Sequence, residues 1–142
     1  RNIVEEVAEK PTIYCDMDMV LCDFLKGAEK HLGTSFPKAD KRTKWPMISA
    51  KNDFWVSLDW MPGAKRLYQL IIKYDSHILS AYTSRNPISR TGKMKWLVKN
   101  TSFKKSNINL VVAIVPQPST NFLVVKISFF FLFLQILLNL FH

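Results

Sequence analysis

Three short, mainly apolar runs lie along the chain, at residues 12–15, 76–80 and 108–112. Runs of this length are typical of strands buried in an open α/β sheet. We therefore predict three strands, and the second of them delivers a hydroxyl residue, Ser80, at its end.

Between these runs, apolar residues recur at helical spacing and predict two helices. The helix expected over about 64–73 has a stripe formed by Leu67, Leu70, Ile71 and Tyr74. The helix expected over about 89–100 has an apolar stripe of Met94, Leu97 and Val98 and an opposite face that carries Arg90, Lys93, Lys95 and Lys99. Strands and helices that alternate in this way predict right-handed crossovers and a parallel, Rossmann-like sheet.

The residues directly after the first strand carry the clearest chemistry. Asp16 and Asp18 stand one residue apart, where a strand of an α/β sheet delivers functional groups. Neighbouring carboxylates repel each other, and partial burial adds a desolvation penalty, so the pair favours a divalent cation or a shared proton. The pair suits phosphoryl transfer through an aspartyl-phosphate. The simpler alternative is that Asp16, Asp18 and Asp23 only form turns and cap a helix.

This segment resembles the first motif of the haloacid dehalogenase-like phosphatases, in its 5'(3')-deoxyribonucleotidase branch. The residues that carry the resemblance read Asp16-Met17-Asp18-Met19-Val20-Leu21-Cys22-Asp23-Phe24. The resemblance implies that Asp16 is the nucleophile and a Mg²⁺ ligand. It also implies that Asp18 is the general acid and base and lends its backbone carbonyl to the metal. Met19 departs from the pattern, which has glycine there.

Residues 53–64 are similar to the segment by which this branch returns from its cap to the core. The resemblance therefore implies a cap at about 25–59, and a three-layer α/β fold with this small helical cap inserted after the first strand. In that cap, Phe24, Phe54 and Trp55 would stack on a nucleobase, and positive charge would attract a nucleotide dianion. The alternative is that the aromatic residues form the cap core, which we favour for Trp45 and Trp60.

The second motif of the family is a strand that ends in Ser or Thr, whose hydroxyl holds a phosphate oxygen. Ser80 fits that position. A neutral donor orients a phosphoryl group without competing with the nucleophile. The alternative for Ser80 is an ordinary turn after a strand.

The resemblance stops after Val112. The family has a lysine after its third strand and an acidic pair after its fourth, whereas this chain has no Asp or Glu beyond Asp75 and only one Lys or Arg, Lys126, beyond Lys105. We therefore expect incomplete C-terminal strands, weak Mg²⁺ affinity and little or no turnover. A nucleotide-binding domain without catalysis remains an alternative.

Residues 113–142 differ in composition from residues 1–112, and 127–141 form a block rich in Phe and Leu. This block is shorter than the ~20 apolar residues that span a membrane, and Ser128, Gln135 and Asn139 interrupt it. A shift of reading frame near Val112 would produce such a change, so we expect 113–142 to be foreign to the fold. A membrane-tethering role for 127–141 is the alternative.

The overall charge of the 142 residues, +9, raises nucleic-acid binding as a competing function. Much of the excess arises because no acid follows Asp75, so we do not infer such binding. Cys15 and Cys22 flank the acids, and we expect both to be free thiols in a reducing cytoplasm. The expected substrate is thus a small nucleoside monophosphate, hydrolysed with Mg²⁺.

Overall fold

The computed structural model describes residues 12–84 and 86–113. Over these residues the chain forms a mixed α/β fold with a parallel sheet, as the alternating pattern predicts. The elements run in the order β1 (Tyr14–Cys15), α1 (Phe24–Leu32), α2 (Lys44–Ala50), α3 (Ala64–Ile71), β2 (His77–Tyr82), α4 (Pro87–Asn100), a 3₁₀ turn (Lys105–Asn107) and β3 (Ile108–Val112). The segment 113–142, apart from Ala113, lies outside the described residues.

The three described strands lie in the order β1-β2-β3, and both pairs are parallel. Cys15 pairs with Ile78, and Ser80 pairs with Leu110. Because the strands are parallel, the carboxyl ends of β1 and β2 point toward the same edge of the sheet, where ligands bind in open α/β sheets. β2 continues to Tyr82, so Ser80 lies inside the strand and not at its end.

Local signals in the sequence explain where the first and third helices begin and end. The Asp23 side chain accepts a hydrogen bond of 3.0 Å from the backbone amide of Lys26, which confirms Asp23 as an N-cap. Gly33 ends α1 with a left-handed φ of 71°. Gly63, at a left-handed φ of 78°, is the N-cap of α3.

The expected helix faces are partly wrong. In α3, Leu67 and Ile71 are buried as predicted, but Leu70 is exposed, and Tyr74 lies beyond the helix and is exposed. In α4 the error is larger, because Val98 faces solvent and Lys93 is buried. The buried face of α4 consists of Ser89, Gly92, Lys93, Trp96 and Leu97.

The helices α1 and α2 lie between β1 and α3 in the chain and contact each other. Trp96 of α4 ties this region to the core, since its indole nitrogen donates a 2.8 Å hydrogen bond to the carbonyl of Leu58. Trp60 packs on Trp96 with ring centroids 4.9 Å apart, in agreement with its expected core position. Trp45 differs from the expectation, because it is 45% exposed.

Within the part of the chain that the structure describes, no helix combines the length and the apolar character that crossing a membrane requires. The apolar block 127–141 lies outside that part.

Candidate active site

A tight turn after β1 presents both aspartates. The backbone amides of Leu21 and Cys22 donate to the carbonyl of Met17 at 2.9 and 3.0 Å, and the amide of Met19 donates to the carbonyl of Cys22 at 2.8 Å. Met19 takes a left-handed φ of 60°, a conformation that favours glycine. The turn therefore has a backbone conformation that glycine adopts readily, and holding Met19 in this conformation costs about 1–2 kcal/mol.

The two carboxylates sit in different surroundings. Asp16 is half-buried, and its Oδ1 accepts a 2.6 Å hydrogen bond from the amide of Met17. Asp18 Oδ1 is buried and has no hydrogen-bond partner among the described residues, while its Oδ2 is paired with Lys93. An unpaired buried carboxylate oxygen is costly, so this atom is ready to take a proton or a ligand.

Lys93 brings a positive charge to this site from α4. Its side chain is 2% exposed, and its ammonium nitrogen lies 2.5 Å from Asp18 Oδ2. The same nitrogen donates to the carbonyl of Ala81 at 2.5 Å and lies 3.4 Å from the hydroxyl of Ser80. One side chain therefore connects the ends of β1 and β2.

Burial raises the pKa of Asp18 above its ordinary value. The charge of Lys93 and its hydrogen bond oppose this effect, and the negative charge of Asp16 adds to it. A carboxyl group with a raised pKa keeps its proton at higher pH, which is what a general acid requires.

Ser80 is buried in β2, with its hydroxyl beside the Lys93 ammonium. Asp16, Asp18 and Ser80 were all candidates from the sequence, and Lys93 links two of them. Sequence reasoning missed Lys93, because it assigned this residue to the solvent face of its helix. A usable signal was present, since Ser89, Gly92, Lys93, Trp96 and Leu97 follow the i, i+3, i+4, i+7, i+8 spacing of one helix face.

The three expected base-stacking residues form one buried aromatic cluster. Phe24 stacks on Trp55 with centroids 5.5 Å apart, and Phe54 meets both rings edge to face. Phe54 is 1% exposed and is therefore a core residue. Contact with a nucleobase stays a prediction for all three.

Both cysteines are free and buried, as expected. Burial, together with the charge of Asp16, raises the pKa of Cys15 to about 12. Burial also raises the pKa of Cys22. Both thiols therefore stay protonated at neutral pH, which argues against a cysteine nucleophile.

The oxygen ligands at this site suit a hard cation. Mg²⁺ is usually held by one or two carboxylates, with substrate phosphate and water completing its shell. Asp16 can supply a carboxylate oxygen and Asp18 its backbone carbonyl, which leaves Asp18 Oδ1, without a hydrogen-bond partner among the described residues, for proton transfer. Over residues 12–84 and 86–113, no group of three or more His, Cys, Asp and Glu side chains is arranged so that it could hold a metal ion.

No protein-family model matches this sequence, and no curated protein matches it.

Proposed function

We propose that this chain is a Mg²⁺-dependent phosphomonoester hydrolase that acts on nucleoside monophosphates through an aspartyl-phosphate. The observation that carries the proposal is the Lys93 ammonium between Asp18, in the turn after β1, and Ser80 of β2. A phosphoryl group needs a nucleophile, a proton donor, a neutral hydrogen-bond donor and a compensating charge. Asp16, Asp18, Ser80 and Lys93 are chemically suited to these four tasks.

The first step uses the two aspartates in different roles. A carboxylate oxygen of Asp16 attacks phosphorus, and the ester bond to the leaving alkoxide breaks. Asp18, whose pKa is raised by burial, gives its proton to that alkoxide. Ser80 and Lys93 hold the transferring oxygens and offset their charge, which is electrostatic stabilisation of the transition state.

The second step releases phosphate. Asp18 takes a proton from water as the water oxygen attacks phosphorus, and the bond between phosphorus and the Asp16 oxygen breaks. The carboxylate of Asp16 is restored, and the proton returns the general acid to its starting state. When bound by Asp16 and the backbone carbonyl of Asp18, Mg²⁺ would offset the negative charge of phosphate and carboxylates.

The wider proposal follows the same resemblance. The parallel sheet would be the centre of a three-layer, haloacid dehalogenase-like fold, with α1 and α2 in its cap. The preference for a nucleobase rests on the resemblance alone, because Phe24, Phe54 and Trp55 are buried against one another. The free thiols of Cys15 and Cys22 favour the cytoplasm as the place of action.

Phosphate release from dUMP tests this proposal. Because no acid follows Asp75, we expect weak Mg²⁺ binding and slow turnover. The rate of turnover should keep increasing as the Mg²⁺ concentration is raised into the millimolar range. The Asp16→Asn variant should release no phosphate, because an amide oxygen is a poor nucleophile and cannot form the aspartyl-phosphate intermediate. Equal release by the wild-type chain and the Asp16→Asn variant would exclude Asp16 as the nucleophile.

The lack of acids after Asp75 favours one second candidate, a nucleotide-binding domain without catalysis. Calorimetric titration with dUMP separates the two functions. Saturable binding without any phosphate release supports the binding domain, whereas Mg²⁺-dependent release supports the hydrolase.

A further inference from the structure

Trp55 faces the buried ammonium of Lys93. The Lys93 nitrogen lies 4.9 Å from the centroid of the indole ring. Trp55 is 6% exposed and the Lys93 side chain 2% exposed, so water screens this contact little. Cation–π attraction is strongest for tryptophan and grows when both partners are desolvated.

The glycine next to Lys93 makes this approach possible. A Cβ atom at Gly92 would lie 2.6 Å from Cβ, 3.2 Å from Cγ and 3.3 Å from Cδ1 of Trp55. These atoms belong to the rigid base of the side chain, so they cannot move away without a shift of the Trp55 backbone. Gly92 therefore allows α4 to lie directly against Trp55.

The indole ring is itself held in place by its packing. Phe24 stacks on it at an interplanar angle of 24°, and Phe54 meets it at 89° with centroids 5.2 Å apart. The indole nitrogen of Trp55 is buried without a hydrogen-bond partner among the described residues, so aromatic contacts fix its orientation. Phe24 is the first residue of α1 and lies next to its N-cap Asp23.

We propose that Trp55 is a positioning residue for Lys93, and that Gly92 is the position that lets it act. The ring face keeps the ammonium between Asp18 and Ser80, in addition to the two hydrogen bonds to Asp18 and Ala81. The consequence for turnover rests on the proposed phosphatase function, whereas the placement of Lys93 does not.

Chemical labelling of lysines tests the placement without any activity. Acetylation of Lys93 is followed by peptide mass spectrometry, with the exposed Lys95 and Lys99 of the same helix as internal references. Trp55→Leu should raise the acetylation rate of Lys93 by roughly tenfold, the scale of a desolvated cation–π contact. Trp55→Phe, which keeps an aromatic face, should stay closer to wild type.

Two further variants serve as a control and as an independent test of the placement of Lys93. Trp45→Leu removes an indole of the same cap that stacks on Phe24, and it should leave Lys93 as protected as in the wild type. Gly92→Ala should expose Lys93 as Trp55→Leu does, and it keeps the proposal testable if Trp55→Leu does not fold. Circular dichroism shows that each variant compared is folded. Unchanged Lys93 acetylation in both folded Trp55→Leu and Gly92→Ala would overturn the proposal.

Turnover of p-nitrophenyl phosphate, which carries no nucleobase, separates positioning from base stacking. If Trp55 acts through Lys93, Trp55→Leu lowers kcat for this substrate by roughly tenfold, with a smaller change in KM. A loss confined to dUMP would overturn the positioning role. If the wild-type chain hydrolyses neither substrate, the phosphatase proposal fails, and the acetylation rates still decide how Lys93 is held.

Discussion

At the scale of single residues, the site combines Asp16, Asp18 and Ser80, which were predicted from the sequence, with Lys93, which was not. Asp16 and Asp18 can be predicted as candidates because they directly follow a short apolar run, at the place where a strand of an α/β sheet delivers functional groups. Lys93 could not be predicted from residue type, since lysine is almost never buried without a partner. Its partner is Asp18, which lies 75 positions away in the chain. Only the fold brings these two residues together.

The Asp18 carboxyl group should make the stability of the folded chain decrease as pH rises. Its pKa is raised in the folded chain, mainly by burial, so the folded state binds its proton more tightly than the unfolded state. The Asp18 carboxyl group therefore contributes most to the stability of the folded state below about pH 4, the ordinary pKa range of aspartate. This contribution is lost as pH rises through the pKa of the folded state. Asn cannot titrate, so the Tm of Asp18→Asn minus that of the wild type should increase with pH between 4 and 8.

Asp75 provides a control, because its contribution to folding stability depends on pH in the opposite direction. Its pKa is lowered by the hydrogen bond from Asn107 and by Lys104, so its contribution is present above the ordinary aspartate range and lost on acidification. For Asp75→Asn, the Tm difference should therefore decrease as pH rises from about 2 to about 5 and stay flat above that range. A difference for Asp18→Asn that stays flat or decreases with pH would contradict the assignment of a raised pKa.

At the scale of elements, positions were easier to predict than faces. β3 has the predicted bounds, and α4 begins only two residues before the expected start, at Pro87. The faces of α4 were misjudged because hydrophobicity alone placed Val98 inside and Lys93 outside. A buried charged pair and a glycine contact decide that face, and neither is visible in an apolar stripe.

The start of α1 offers a test at this scale. Asp23→Ala removes the side-chain acceptor for the Lys26 amide, so the free energy of unfolding should fall by about 1 kcal/mol. Asp23→Ser, which retains an acceptor, should lose only a few tenths of this value. Urea unfolding followed by circular dichroism measures both. An equal loss for the two variants would show that the cap hydrogen bond is not the source of the effect.

At the scale of the whole molecule, the order of strands and helices and their parallel sheet follow from the alternation of patterns in the sequence. The way in which the helical region between β1 and α3 joins the rest of the fold does not. One part of that connection is Trp96, which is fully buried in α4, packs on Trp60 and donates to the carbonyl of Leu58. Its partners are 36 and 38 residues away, so no local pattern reveals it.

Trp96 should therefore contribute strongly to the stability of the whole described fold. Trp96→Leu leaves a cavity and an unpaired carbonyl at Leu58, and we expect a loss of about 3 kcal/mol in the free energy of unfolding. Trp96→Phe keeps most of the ring and loses the hydrogen bond, for an expected cost of about 1–2 kcal/mol. Val98→Ala, at an exposed position of the same helix, should change the value by less than about 0.5 kcal/mol. Urea unfolding by circular dichroism ranks the three variants, and a Trp96→Leu variant as stable as Val98→Ala would show that the contacts of Trp96 with Leu58 and Trp60 do not stabilise the fold.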